Sequence, residues 1–218
     1  MESETAQEIG MSKRITDYYS LRESIPNLVA ERIGEPERWL DIGCGMGGSI
    51  RKSLERFPEA TFTLVDPSEE NICVAKDSIG DRPGCEFIQS TSDALRLSDG
   101  CFDIITCILS HHYYSDTNLK LEAVRNCRRM LRDGGIFITV EHTRYDTSQP
   151  EKDAEWVDYM RGMGLEEESI KEMLDRRGTF YYPLTEEEHI CLMEKAGFCD
   201  IQVFWRTCSD IGLVATKR

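Results

Sequence analysis

A glycine-rich turn stands where an apolar run ends, in "RWLDIGCGMGGSI" (residues 38–50). Gly43, Gly45 and Gly48 fit the pattern G-x-G-x-x-G, the spacing usual in loops that bind a dinucleotide. Glycines let the backbone approach a ligand, and the N-terminus of the helix that follows offers free N–H groups at its positive end. A pyrophosphate suits such a loop, and so does the carboxylate of an amino acid.

Two acids near this turn narrow the choice of ligand. Asp66, about 20 residues further on and at the end of the next apolar run, suits the two hydroxyls of a ribose. Asp41, just before the first glycine, would repel a pyrophosphate but would favour a cationic amine or sulfonium. The ligand implied has an anionic group, a cation beside it and a ribose. S-adenosylmethionine meets all three requirements.

Residues able to take part in a transfer reaction occur as adjacent pairs. Displacement at a sulfonium methyl is in-line, so positioning supplies much of the rate, and a base is needed only for a protonated acceptor. The pairs are Tyr18–Tyr19, His111–His112, Glu141–His142 and Tyr181–Tyr182. From these we expect His112, Glu141 and Tyr19 to act at the reaction centre. His142 is less favoured than Glu141, because side chains alternate across a strand end.

The elements that position these residues alternate from residue 38 onward. Strands are predicted at "RWLDIG", "TFTLVD", "CEFIQS", "FDIITCIL" and "IFITVEH", with helices between them. This order predicts a parallel sheet with helices on both faces. Such sheets bind ligands beyond the carboxyl ends of their strands. Chemistry is therefore expected around Gly43, Asp66, residues 110–114 and residues 141–145.

Three segments depart from this alternation. Residues 1–34 form an N-terminal helical segment, in which residues 1–12 are expected to be a frayed tail. Residues 146–185, helical and acidic, are expected to form an insertion that serves as a lid or as the surface of a homodimer. The final runs, "IQVFWRT" and "IGLVATK", are joined through Ser209 and Asp210. So short a link favours an antiparallel pair.

The composition limits the partners and the compartment. The 218 residues include 40 acids and 26 bases, and the net charge of −14 disfavours nucleic acids and anionic membranes as partners. No run approaches the ~20 apolar residues of a membrane span. The nine cysteines are scattered, and "MESETAQEIG" does not resemble a secretory leader, so a cytoplasmic location is expected. No metal is expected, because the His and Glu pairs lack a third ligand pair.

Four segments together resemble the successive motifs of class I S-adenosylmethionine-dependent methyltransferases: "DIGCGMGG", "LVDPSEENICVAK", "FDIITCILSHHYYS" and "CRRMLRDGGIFITVEH". They lie within residues 38–145, and the end of the chain is similar to the closing hairpin of that family. The resemblance implies one methyltransferase domain over residues 1–218. Its fold would be α/β, a Rossmann-like three-layer sandwich with a mostly parallel seven-stranded sheet and an antiparallel C-terminal hairpin.

The resemblance also assigns roles to residues. Asp41 and the loop glycines would line the methionine end of the cofactor, Asp66 would bind the ribose and Pro67 would lie along the adenine. Many relatives have an acid and a small residue after the third strand for the adenine amine. This chain departs from that pattern with Thr91 and Ser92 there, followed by Asp93. The complete set expected to bind the cofactor is Asp41, Gly43, Cys44, Gly45, Asp66, Pro67, Ser92, Asp93 and Leu109.

The favoured function is methyl transfer from S-adenosylmethionine to a small-molecule acceptor. One alternative is a carboxy-S-adenosylmethionine synthase, which the stretch from "LEEESIKEML" to "CSDIGLVATK" resembles. That reaction needs a cation for the added carboxylate, and Lys171, Arg176 and Arg177 lie in the comparable segment. A non-catalytic acidic scaffold is a second alternative, disfavoured by the intact loop and Asp66. A nicotinamide-dependent oxidoreductase is opposed by Asp41 and by the closing hairpin.

Overall fold

Seven strands form one sheet in the computed structural model, which describes residues 6–218. The strands are β1 (Arg38–Ile42), β2 (Thr61–Asp66), β3 (Cys85–Gln89), β4 (Phe102–Ile108), β5 (Leu131–His142), β6 (Cys199–Arg206) and β7 (Asp210–Thr216). Their order across the sheet is β3-β2-β1-β4-β5-β7-β6. The predicted seven-stranded α/β sandwich is confirmed.

The strand order reverses next to β1, which pairs in parallel with both β2 and β4. The edge of the sheet beyond β5 differs from the rest, because β7 runs antiparallel both to β5 and to β6. The predicted antiparallel hairpin is therefore confirmed. In this register His142 lies directly opposite Asp210, and Glu141 lies opposite Ile211.

Two apolar layers cover the sheet because adjacent residues of its buried strands face opposite sides. Trp39 and Ile104 pack into one cluster, which includes Leu21 of the N-terminal segment. Leu40 and Ile105 pack into the other cluster. Both faces of the central strands are thus covered, which explains why these strands appear in the sequence as continuous apolar runs.

Eight α-helices and one short 3₁₀ turn are present among residues 6–218. The helices are α1 (Ala6–Ser12), α2 (Tyr18–Arg32), α3 (Arg51–Arg56), α4 (Glu69–Ile79), α5 (Thr117–Met130), α6 (Gln149–Gly162), α7 (Glu167–Asp175) and α8 (Glu186–Lys195). The 3₁₀ turn covers His111–Tyr113. None of the helices in this part of the chain has the length and apolar character needed to cross a membrane.

The prediction of a frayed tail is wrong for residues 6–12, which form α1. Residues 1–5 of the predicted tail lie outside the described part of the chain. The helix is held by an ion pair between buried Glu8 and Arg22 of α2, with 2.6 Å between the charged atoms. Helices α6 and α7 lie within residues 146–185. Trp156 of α6 donates its indole N–H to the Arg14 carbonyl at 2.6 Å, so this segment packs against the N-terminal helices.

Candidate active site

The glycine-rich turn folds tightly between the ends of three strands. Gly43 follows β1 with a φ of +75°, and a Cβ at this position would come within 2.6 Å of the Ser110 Cβ beyond β4. The backbone N–H groups of Gly43 and Cys44 both donate to the Val65 carbonyl of β2, at 2.7 and 3.0 Å. Glycine is required at residue 43 both by the backbone conformation and by the close approach of Ser110.

Asp66 organises this turn from the end of β2. Its Oδ2 accepts the Gly45 backbone N–H at 2.9 Å. Its Oδ1 accepts the Ser68 N–H at 2.9 Å and the Asn71 side-chain amide at 3.0 Å. The side chain is almost buried and still lines the cavity described below. One carboxylate therefore joins the glycine turn to the start of α4.

Asp41 lies beneath the turn and outside the cavity wall. Its Oδ1 accepts the Thr106 hydroxyl at 2.6 Å, and its buried Oδ2 has no hydrogen-bond partner among the described residues. Burial raises the pKa of this carboxyl to about 7; the Thr106 hydrogen bond opposes the rise and the charge of Asp66 adds to it. A cation bound above the turn would stabilise the ionised form.

A cavity of about 670 Å³ opens at the carboxyl ends of β1, β2, β4 and β5, where strand order predicts a ligand site. Seven residues of the expected cofactor set line it: Gly43, Cys44, Gly45, Asp66, Pro67, Ser92 and Leu109. Asp93 does not line it but accepts a hydrogen bond from Tyr114, which does, at 2.6 Å. Burial raises the pKa of the Cys44 thiol, so this residue fills the turn as an uncharged group.

Two imidazole rings lie side by side on the cavity wall, tilted 30° from each other. His112 and His142 both line it, with ring centroids 4.6 Å apart, and the Tyr181 ring lies 4.8 Å from that of His142. His142 Nδ1 is 2.6 Å from Oδ1 of Asp210, which is fully buried. This pairing was not predicted. The signal was present, since the short link at Asp210 predicted the antiparallel strand that brings this carboxylate to β5.

Glu141 does not face the cavity, in contrast to the expectation. Its carboxylate accepts the backbone N–H groups of His111 at 3.2 Å and His112 at 2.8 Å, and the Thr139 hydroxyl at 2.9 Å. Burial alone would raise the pKa of Glu141, but its contacts with the neighbouring histidines lower it to about 2. Glu141 is thus an ionised support for the 3₁₀ turn, and side-chain alternation along β5 turns His142 to the cavity instead.

Tyr19 also lies outside the cavity wall. Its side chain is 44% exposed, whereas Tyr18 is buried and lines the cavity. Successive residues of a helix point about 100° apart, so only one of the pair can face the site. The structure thus places Tyr18 at the cavity, whereas Tyr19 was the residue expected there. Among the other pairs of candidate residues, Tyr181 lines the cavity. His111 is buried away from it, with its Nε2 2.9 Å from the Ser92 hydroxyl.

One buried group within residues 6–218 could bring three metal ligands together. Atoms of Cys107, His111 and Glu141 lie within 4.8 Å of one another. However, Glu141 already accepts backbone N–H groups, and burial raises the pKa of the Cys107 thiol well above its ordinary value. A metal needs a deprotonated thiol, so this set does not favour one.

Part of the chain matches a known protein family. Residues 40–135 match the family model described as a methyltransferase domain. The chain is 33% identical over 121 residues to a fatty-acid O-methyltransferase of Mycolicibacterium smegmatis, covering 54% of this chain and 42% of that protein. It is 36% identical over 108 residues to the uncharacterized methyltransferase YcgJ of Bacillus subtilis, covering 48% and 40% respectively. The chain therefore matches about two fifths of the length of these relatives.

Solved structures show the same fold over nearly the whole chain. The crystal structure of YcgJ from Bacillus subtilis aligns with a TM-score of 0.68 at 19% identity, covering 92% of this chain and 99% of that one. Human N-acetylserotonin methyltransferase in complex with S-adenosylmethionine aligns with a TM-score of 0.65 at 15% identity, covering 97% and 56%. Residues 40–135 therefore carry a methyltransferase domain, and the motifs and the sheet order are those expected of the class I S-adenosylmethionine-dependent methyltransferases.

Proposed function

We propose that this protein transfers the methyl group of S-adenosylmethionine to a small-molecule acceptor. One observation carries the proposal: a single cavity runs from the glycine turn and Asp66 to His112 and His142. Cofactor and acceptor can therefore bind in contact within one cavity, as an in-line displacement requires.

Each part of the cofactor meets groups of suitable charge. The backbone N–H groups of the turn suit the carboxylate of the methionine end. Asp41 beneath the turn suits the cationic amine and sulfonium, and Asp66 suits the ribose hydroxyls. Pro67, Ser92 and Leu109 complete the cavity wall beyond Asp66 and would contact the adenine.

The small-molecule class of the acceptor is supported by the relatives and by charge. The relatives include the fatty-acid O-methyltransferase and a demethylmenaquinone methyltransferase of Thermotoga maritima, 28% identical over 120 residues. The net charge of −14 disfavours a polyanionic acceptor.

The carboxylated-cofactor alternative receives less support from the structure. The cations that it would need each face an acid: Lys171 pairs with Asp175, Arg176 with Glu172, and Arg177 with Asp153. Of these three cations only Arg176 lines the cavity. An added carboxylate at Arg176 would therefore have to compete with an existing ion pair.

The test is conversion of S-adenosylmethionine to S-adenosylhomocysteine, followed by mass spectrometry with a panel of fatty acids, quinols, phenols and thiols. We expect at least one acceptor to gain a methyl group in a protein-dependent manner, and Asp66→Ala to abolish this gain. Absence of S-adenosylmethionine binding, or a cofactor that gains mass instead of losing its methyl group, would contradict the proposal.

A further inference from the structure

His142 and Asp210 face each other across the antiparallel pair of β5 and β7. Residues directly opposite in such a pair project from the same face of the sheet, so their side chains meet. Resting on the methyl transfer proposed above, we infer that His142, held by Asp210, is the general base of the reaction and that the acceptor is an aromatic hydroxyl compound.

Asp210 is built to hold the imidazole in one orientation. It is 0% exposed, and its Oδ2 accepts the Ser209 hydroxyl at 2.5 Å, which leaves Oδ1 for His142 Nδ1 at 2.6 Å. The backbone N–H of Asp210 donates to the Thr207 hydroxyl at 3.1 Å. A carboxylate at Nδ1 assigns the proton of the neutral ring to that nitrogen, so Nε2 is the atom with a free lone pair.

His112 lies against the same cavity, but the carboxylate beside it is already engaged by backbone N–H groups. Its Nδ1 is 3.2 Å from Glu141 Oε2, in a geometry that makes no hydrogen bond. Both Glu141 oxygens already accept backbone N–H groups of the 3₁₀ turn. Burial and the neighbouring His142 lower the pKa of His112, and the nearby Glu141 carboxylate opposes this shift only in part.

The aromatic lining of the cavity favours an aromatic acceptor. Four aromatic residues line the cavity, Tyr18, Tyr113, Phe180 and Tyr181, and the ring of Tyr181 lies 4.8 Å from that of His142. Tyr113 and Phe180 meet edge to face at 5.3 Å, and both are more than half exposed, as expected of an entrance that receives a flat apolar ring. A base is useful only where the acceptor is protonated, and a phenol, with a pKa of about 10 like tyrosine, is protonated at neutral pH.

One proton and one methyl group move in the proposed step. His142 Nε2 takes the hydroxyl proton as the acceptor oxygen forms a bond to the methyl carbon. The bond between that carbon and the sulfonium sulfur breaks, and its electron pair remains on the sulfur as a neutral thioether. The positive charge passes to the imidazolium, which Asp210 stabilises until the proton leaves to solvent.

The experiment compares a hydroxyl acceptor with the thiol of the same ring, because an aromatic thiol is largely ionised at neutral pH and needs no base. Phenol is paired with thiophenol, and naphthol with naphthalenethiol. Wild-type protein, His142→Asn and Asp210→Asn are assayed as full chains for kcat and KM on both members. The asparagine at residue 142 keeps a donor for Asp210 but lacks a group at Nε2.

We expect His142→Asn to reduce kcat for the hydroxyl member by about 100-fold or more, with little change for the thiol member or in KM. Asp210→Asn should act in the same direction, as a positioning residue. Thermal unfolding and cofactor binding are measured for each variant. If His142→Asn fails to fold, His142→Gln takes its place.

If His142→Asn lowers kcat equally for the hydroxyl and the thiol members, or does not lower kcat for the hydroxyl member, the inference is overturned. Wild-type protein that methylates thiols but no aromatic hydroxyl would also overturn it; in that case methyl transfer itself would still stand. Failure to bind S-adenosylmethionine would instead overturn the proposed function.

Discussion

The backbone N–H of Gly45 donates to Asp66 Oδ2 at 2.9 Å, so the residue proposed to bind the ribose also fixes the turn proposed to receive the methionine end. The two halves of the cofactor site are thereby one hydrogen-bonded unit. Loss of Asp66 should affect both halves together.

Asp66→Ala is expected to abolish the thermal stabilisation that S-adenosylmethionine gives to the wild-type protein, because both ribose contacts and the turn geometry are lost. The measurement is the shift in unfolding temperature with added cofactor. Glu70→Gln, an exposed acid in the first turn of α4, serves as the control and should keep the full shift. A normal shift in Asp66→Ala would show that the cofactor site is elsewhere.

Gly43→Ala should weaken cofactor binding and destabilise the fold, because the new Cβ would overlap the side chain of Ser110. Gly34→Ala is the matched control: Gly34 also has a positive φ, +83°, but has open space around it. Calorimetric titration with S-adenosylmethionine and urea unfolding measure the two effects. The double variant Gly43→Ala, Ser110→Gly should recover part of the loss. If both glycine variants behave alike, the close approach of Ser110 is unimportant.

Asp41 should make the ligand-free protein less stable as pH rises from about 4 to about 7. Its pKa is raised from 3.8 to about 7 in the folded chain, so over this range the folded state holds a proton that the unfolded state has released. The free energy of unfolding then falls with increasing pH and levels off above the folded pKa. Asp41→Asn should remove this decrease, giving a flatter dependence in urea unfolding experiments. Parallel curves for the two proteins would contradict the assignment.

Glu141→Gln should destabilise the protein at neutral pH by about 1–3 kcal/mol, because an amide cannot accept all the buried donors that the carboxylate satisfies. The lowered pKa of Glu141 has the same sign: its contribution is present above about 4.5 and is lost as pH falls through about 2. Glu194→Gln, on the exposed face of α8, is the control. A Glu141→Gln variant of wild-type stability would contradict the support role. Its rates with hydroxyl and thiol acceptors should fall together, unlike those of His142→Asn.

The architecture could be predicted from the sequence because its strands are buried on both faces. Runs such as "TFTLVD" and "FDIITCIL" therefore stand out from the helices between them. The start of β5 differs from the prediction: the strand begins at Leu131, directly after α5, and not at Ile136. Leu131 pairs with Phe102 of β4. That pairing is a tertiary contact, and no local pattern marks it.

The sequence predicts which loops reach the cavity, but it does not predict the direction of each side chain. Gly43, Gly45 and Asp66 line the cavity because any parallel sheet brings its strand ends together. Tyr18 and Tyr19 are adjacent residues, as are Glu141 and His142, and adjacent side chains point in different directions. Which of the two faces the cavity depends on how the whole helix or strand is oriented in the fold. The partner of His142 lies 68 residues further along the chain, so only the register of β7 shows it.

Calorimetric titration of the wild-type protein with S-adenosylmethionine, S-adenosylhomocysteine and NAD tests the central claim most directly. The structure predicts one site per chain for the first two ligands, competition between them, and no binding of NAD, whose pyrophosphate would lie above Asp41. Binding of NAD, or no binding of S-adenosylmethionine, would contradict it.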